Sequence, residues 1–287
     1  MTYDTPQALR MGLERRLLTR AEATGISLDR LRRRVVFERI VARLEVAEPG
    51  QWVLKGGMAL EVRIADAARL TKDIDLGLRA PVANESELHE RLIDALSVDS
   101  DGDGFVFTVA PPKPLGQESG EWFTWRSAVA ASLAGKLFGG IHLDISPRAH
   151  ELNETDRVQL PNSLDFAGFT TPVVEIVDVN RHAAEKFHAM LRDYGERENS
   201  RVRDLVDLVI LIEQEALDTA TVATRATDVW RERDNSSPPA ALSTLPESWP
   251  SRYERLAADA NLDTRSFAAA VALVNRLWTD MFASKET

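Results

Sequence analysis

Residues 51–79 read QWVLKGGMALEVRIADAARLTKDIDLGLR, and this stretch decides the fold. QWVLKGG (51–57) is a short apolar run closed by Gly56 and Gly57. It predicts a strand, a tight turn and a helix from about Met58 to Ala65. TKDIDLGLR (71–79) alternates with period two and predicts a second strand. Residues i and i+2 of a strand share a face, so Asp73 and Asp75 project together while Ile74 and Leu76 line the other side. Two carboxylates a few ångströms apart repel unless a cation lies between them. Magnesium takes oxygen ligands, typically one or two carboxylates plus substrate phosphates, so Asp-x-Asp at a strand end suits phosphoryl or nucleotidyl transfer. Taken alone, Asp-x-Asp is more often a solvated strand face and Gly-Gly simply a turn. Their order here adds backbone N–H groups and a helix N-terminus that a turn can aim at a phosphate.

Further along, WFTWRSAVAASL (122–133) and GGIHLDIS (139–146) read as two more strands with a turn near Gly135–Gly140. Asp144 shares a face with His142, opposite Ile141, Leu143 and Ile145. A third carboxylate beside an acidic pair can hold a second metal or accept the proton of an attacking hydroxyl; the alternative is an ordinary surface strand residue. Residues 85–97 predict a helix, 105–110 a strand, 112–120 a Pro/Gly-rich loop, and Val173–Ile176 a short strand or extended lead-in. Upstream, 6–22 and 27–47 show helical spacing. The second has Leu31, Val35, Ile40, Val41 and Leu44 on one face and Arg30, Arg32, Arg33, Arg34 and Arg39 on the other. From Val179 the pattern turns helical, at about 179–193, 201–216, 219–233, 250–260 and 264–283, with a Ser/Pro-rich connection over 236–250. The expected fold class is α+β: a mixed-sheet lobe with flanking helices over 1–172, a helical lobe over 173–287, and an active-site cleft between them.

The chain has 287 residues, 44% hydrophobic and 28% charged, enough for a full core without staples. With no cysteine, disulfides, zinc–thiolate sites and cysteine nucleophiles are excluded, in keeping with a cytoplasmic protein. Apolar runs fall well short of the ~18 residues of a membrane span, and MTYDTPQALRMGLERR lacks the apolar core of a signal peptide. Lys and Arg number 35 against 45 Asp and Glu, a formal net charge of −10, so contact with nucleic acid needs a local basic patch. Arg192, Arg197, Arg201 and Arg203 form one such candidate and Arg30, Arg32, Arg33 and Arg34 a second, each equally readable as a solvated helix face. Trp122 and Trp125 can stack on a base or pack in the core. His142, His182 and His188 are too scattered for a metal triad and read as structural or peripheral.

The glycine turn, the Asp73-x-Asp75 pair and a third acidic residue on a neighbouring strand together resemble the nucleotidyltransferase superfamily typified by DNA polymerase β. Leu54-Lys55-Gly56-Gly57-Met58-Ala59-Leu60 followed by Arg69-Leu70-Thr71-Lys72-Asp73-Ile74-Asp75-Leu76 resembles, more specifically, the AbiEii/AbiGii-type toxin nucleotidyltransferases of bacterial toxin–antitoxin and phage-defence operons. In that family a Lys opens a helix and an Arg-Asp-x-x-Asp-Leu segment follows on the next. Glu185-Lys186-Phe187 and Arg203-Asp204-Leu205-Val206-Asp207-Leu208 match it. The resemblance runs in motif order over about residues 50–210. Met58 departs from it, standing where family members often carry Thr.

The resemblance implies roles. Gly56 and Gly57 approach the triphosphate, Thr71 touches a phosphate oxygen, and Asp73 and Asp75 bind magnesium, with manganese as a substitute. Lys186 reaches the triphosphate as a point charge. Asp204 is an essential acidic residue whose partner is Lys186, the nucleotide or a metal. Asp144 completes the catalytic set. The expected activity is transfer of a nucleoside monophosphate from a nucleoside triphosphate to an acceptor hydroxyl by a toxin kept in check by a cognate antitoxin. The expected acceptor is the 3′ end of tRNA, with translation blocked as the result. Transfer to a protein hydroxyl, or nucleotide binding by a regulator without transfer, are the alternatives.

Overall fold

Thr5 opens the first helix: its Oγ accepts from the Ala8 N–H at 3.2 Å, Pro6 takes the first helical position, and Gly25 closes the end at φ +72°. The computed structural model describes residue 3 and residues 5–64, 73–115, 124–147, 153–196 and 198–283. The helices are α1 (Pro6–Thr24), α2 (Leu28–Ala47), α3 (Gly56–Ile64), α4 (Glu85–Ser97), α5 (Val179–Leu191), α6 (Val202–Glu213), α7 (Thr219–Asp234), α8 (Trp249–Asp259) and α9 (Phe267–Phe282). The strands are β1 (Trp52–Lys55), β2 (Asp73–Leu78), β3 (Phe105–Val109), β4 (Lys113–Pro114), β5 (Trp125–Leu133), β6 (Lys136–Ser146), β7 (Thr155–Gln159) and β8 (Val173–Val177). They fall into two compact units, one of Met1–Arg63 with Leu70–Val177, the other of Ile64–Arg69 with Asp178–Thr287. No helix among the described residues is long and apolar enough to cross a membrane.

The first unit is built on one mixed eight-stranded sheet in the order β3-β5-β6-β2-β1-β8-β7, with β4 also paired to β5. β2 runs parallel to β6 and β1 parallel to β8; the other pairs are antiparallel. Ile74, Leu76, Leu143 and Ile145 form part of the buried core together with Val36, Phe37, Ile40 and Leu44 of α2. Their alternation is what sends Asp73 and Asp75 to the other face. β5 and β6 are joined by Ala134 and Gly135, both at positive φ (53° and 69°), as a tight two-residue hairpin demands. The turn therefore lies at the start of the 135–140 window, and Gly139 and Gly140 belong to β6. A β-bulge between Ala131 and Ser132 makes Phe138 the extra residue on β6.

Two strands escaped the sequence reading. β7 is an edge strand, TDRVQ, without apolar alternation, and β4 lies in the segment read as loop. One assignment is corrected: Arg39, read on the polar face of α2, is 2% exposed. Its Nε donates to Asp103 Oδ2 at 2.6 Å and its Nη2 pairs with Asp101, while Arg43 Nη2 reaches Asp103 Oδ1 at 2.6 Å. The arginines are buried because acidic partners from the 99–103 loop are buried with them.

α2 also carries Glu38, 1% exposed, whose carboxylate accepts from Ser163 N (2.7 Å) and Ser163 Oγ (3.0 Å). Burial raises its pKa from 4.5 to about 7, more than those hydrogen bonds and Arg34 lower it. The folded state thus holds a proton that the unfolded chain releases near pH 4.5, so Glu38 costs stability progressively from there up to about pH 7. By linkage the loss is about 3 kcal/mol. We expect Glu38→Gln to lack this slope. Urea unfolding from pH 4.5 to 8 should show the variant gaining on the wild type by that amount; parallel curves would refute it.

The second unit is all helical. α6 is buried along almost its whole length, Asp204 and Asp207 included. Trp278 of α9 packs on Phe187 of α5 and Trp230 of α7 at centroid distances of 4.9 and 5.7 Å. Trp249 Nε1 donates to the Asn199 carbonyl at 2.8 Å and Tyr253 Oη to the Thr264 carbonyl at 2.7 Å, so both buried rings have their polar atoms satisfied.

Candidate active site

Gly56 sits where β1 turns into α3, at φ +57°. A Cβ built there would lie 1.8 Å from Asp75 Oδ2 and 2.6 Å from its Cγ, so the glycine is required by contact as well as by backbone. Gly57 follows, buried in the first turn of α3. That turn carries no acidic side chain, and its leading N–H groups have no partner within the helix, which suits an anionic oxygen.

Asp73 and Asp75 stand on one face of β2 and are partly exposed. The parallel pairing sets Asp73 opposite His142 and Asp75 opposite Asp144, so the third carboxylate is brought beside the pair. On the far side of β2, Lys55 of β1 is in register with Asp75. On the far side of β6, Arg126 of β5 is in register with Asp144. One row therefore crosses four strands as Lys55, Asp75, Asp144 and Arg126, with cations at both ends.

Arg126 is the residue the sequence reading missed. Its Nε donates to Asp144 Oδ1 at 2.7 Å and its Nη2 to Asp144 Oδ2 at 2.6 Å, a two-pronged pair, and Nη2 lies 3.5 Å from Asp73 Oδ2. The hydrogen bonds it donates to Asp144, then the charges of Asp144, Asp73 and Asp75, raise the guanidinium pKa above its ordinary value. His142, read as peripheral, has Nδ1 3.3 Å from Asp73 Oδ1.

The donor set fits a divalent cation. Two carboxylates share one partly exposed face, and only a glycine leaves room for the Asp75 oxygen beside the helix N-terminus. A second acidic group, Asp99, Asp101 and Asp103, gathers ligand oxygens within 4.8 Å of one another. Arg39 and Arg43 between them pair with all three carboxylates, which makes it a structural ion cluster.

In the helical unit, Lys186 of α5 is buried. Its Nζ lies 2.9 Å from Asp204 Oδ1 and 2.7 Å from Asp207 Oδ2, both on α6. Arg201 Nε reaches Asp204 Oδ2 at 2.6 Å. Of the three partners the sequence left open for Asp204, the structure shows Lys186, and Arg201 with it. Arg201 and Arg203 are exposed and Arg192 is half-buried. Thr71, Lys72, Trp122 and Arg197 lie outside the described residues.

The comparisons agree with this geometry. The family model described as the nucleotidyl transferase AbiEii toxin of type IV toxin–antitoxin systems matches residues 39–281. Among solved structures, MenT4, a nucleotidyltransferase toxin of Mycobacterium tuberculosis H37Rv, superposes with a TM-score of 0.58 at 18% identity, covering 95% of this chain and 89% of that one. JHP933 of Helicobacter pylori gives 0.51 at 18% identity, covering 89% and 93%. At such identities the likeness shows the fold; the family rests on the model match. No curated protein matches the sequence closely enough to count as a relative. With its glycine turn, acidic pair and helical Lys–Asp set in family order, the chain belongs to the AbiEii nucleotidyltransferase toxins of toxin–antitoxin systems.

Proposed function

We propose that this toxin is a magnesium-dependent enzyme acting in the cytoplasm, which transfers a nucleoside monophosphate from a nucleoside triphosphate to the 3′ end of tRNA and so blocks translation. The observation that carries the metal and the chemistry is the Asp73–Asp75 face of β2, with Asp75 seated against Gly56 and Asp144 alongside. Asp73 and Asp75 would hold the ion. When bound, it supplies charge neutralisation of the triphosphate and activation of the attacking oxygen. The α3 N-terminus at Gly56 and Gly57 offers N–H groups to a phosphate oxygen. The acceptor oxygen forms a bond to the α-phosphorus, the α–β bridging bond breaks, and pyrophosphate leaves with that electron pair. The carboxylates on this face are the groups that can take the hydroxyl proton.

Lys186 and Asp204 serve the same reaction by family likeness, Lys186 through the triphosphate. Exposed Arg201 and Arg203 supply positive charge for an RNA backbone against the overall −10. The proposed regulator is an antitoxin protein.

Incubation with each labelled triphosphate, Mg²⁺ and total bacterial tRNA tests the acceptor. Label should appear on RNA, and periodate oxidation of the tRNA 3′ diol should abolish it. Label on protein would replace the tRNA reading with transfer to a side-chain hydroxyl. Bound nucleotide with no label anywhere would favour a regulator.

A further inference from the structure

We propose that Arg126 is the resident counter-ion of Asp144 and restricts the nucleotide-free site to a single divalent cation, held by Asp73 and Asp75. The inference rests on the metal-dependent reading above and adds to it how many ions the chain takes on its own.

Three observations carry it. First, Arg126 engages both oxygens of Asp144, at 2.7 and 2.6 Å, and leaves the Asp144 side chain 9% exposed against 36% for Asp73. The guanidinium covers the carboxylate that a second ion would need. Second, Arg126 Nη2 stands 3.5 Å from Asp73 Oδ2, so the positive charge lies between the third carboxylate and the pair. Third, the chain places it there by a specific device. The Ala134–Gly135 hairpin pairs Leu133 with Lys136, a register that taken alone would set Arg126 opposite Leu143. The bulge at Phe138 shifts β6 by one residue and sets Asp144 opposite Arg126, which brings the carboxylate to the face that alternation along β5 gives the arginine.

A divalent ion at Asp144 must therefore displace a charge-assisted, two-pronged pair. Arg126 acts through Asp144, as a positioning residue. In its absence three carboxylates would face one another, a set that suits two ions.

The test is Mn²⁺ binding to the intact chain without nucleotide, followed by the loss of the free-ion electron paramagnetic resonance signal. We expect about one Mn²⁺ per chain for the wild type and about two for Arg126→Ala. Arg126→Lys, which keeps the charge, should restore about one. Arg126→Ala combined with Asp144→Asn should also return to about one, which excludes a general loosening of the fold. Two ions on the wild type, or one on Arg126→Ala, would overturn the proposal. Asp75→Asn separates the two readings: it should abolish the first ion, and if it leaves binding unchanged, the metal site itself is misassigned. Thermal melting of each variant confirms that it is folded.

Discussion

Gly56→Ala should lower nucleotidyl transfer by about 100-fold or more, because the added methyl cannot coexist with the Asp75 carboxylate 1.8 Å away. Either Asp75 swings off its position or α3 moves, and a displacement on the order of 1 Å at a reacting site is worth about that factor. Part of the effect is backbone strain, since φ +57° costs alanine about 1–2 kcal/mol. Gly135 supplies the control. It has φ +69° with nothing within 4 Å of its missing Cβ, so Gly135→Ala carries the same kind of strain in open space. Denaturant unfolding should show similar losses of stability for the two variants, and only Gly56→Ala should lose transfer. Equal activities would mean that the Gly56–Asp75 contact is incidental.

Removing the Lys186 ammonium should be the most destabilising change in the helical unit. Lys186→Ala leaves Asp207, whose side chain is fully buried, and Asp204, nearly so, without their shared cation. Breaking a buried ion pair by deleting one partner costs about 3–5 kcal/mol, a large share of a typical domain's stability. Arg201 retains its bond to Asp204, so the deficit should fall mainly on Asp207. Urea unfolding of Lys186→Met and of Lys186→Met with Asp207→Asn measures it. The double variant should recover most of the lost stability, because no charge is left without its partner, while transfer stays lost through the missing triphosphate contact proposed for Lys186. A single variant as stable as the wild type would contradict the buried-pair account. A stable double variant with full transfer would confine Lys186 to holding α5 on α6.

The two groups of candidate residues were legible to different degrees, for reasons of range. Asp73 and Asp75 share a face through period two along six residues, a local property that survives folding. Lys186 and the Arg-Asp-x-x-Asp segment were recognisable as motif residues, but the pairing of Lys186 with both Asp204 and Asp207 depends on how two helices pack. Arg126 could not be found that way. In WFTWRSAVAASL it looks like one charge in an apolar strand, and a plain hairpin register would set it opposite Leu143. Its place beside Asp144 depends on the one-residue bulge at Phe138, a non-local feature with no sequence signature of its own. The same limit hid β7, whose polar sequence is held in the sheet by its pairing with β8. It also hid the burial of Arg39, which depends on acidic partners more than sixty residues away. Helices with strong apolar periodicity, such as α4, α8 and α9, carried their own signal.

The central claim is that Asp75, on the acidic face of β2, is required for metal-dependent nucleotidyl transfer. The most direct measurement is incorporation of label from an α-labelled nucleoside triphosphate into total tRNA with Mg²⁺, comparing the wild type with Asp75→Asn. We expect incorporation by the wild type that stops on chelation of Mg²⁺. We expect a fall on the order of 1,000-fold in Asp75→Asn with an unchanged or raised melting temperature, since the substitution relieves carboxylate repulsion. Incorporation by Asp75→Asn at the wild-type rate would contradict the account.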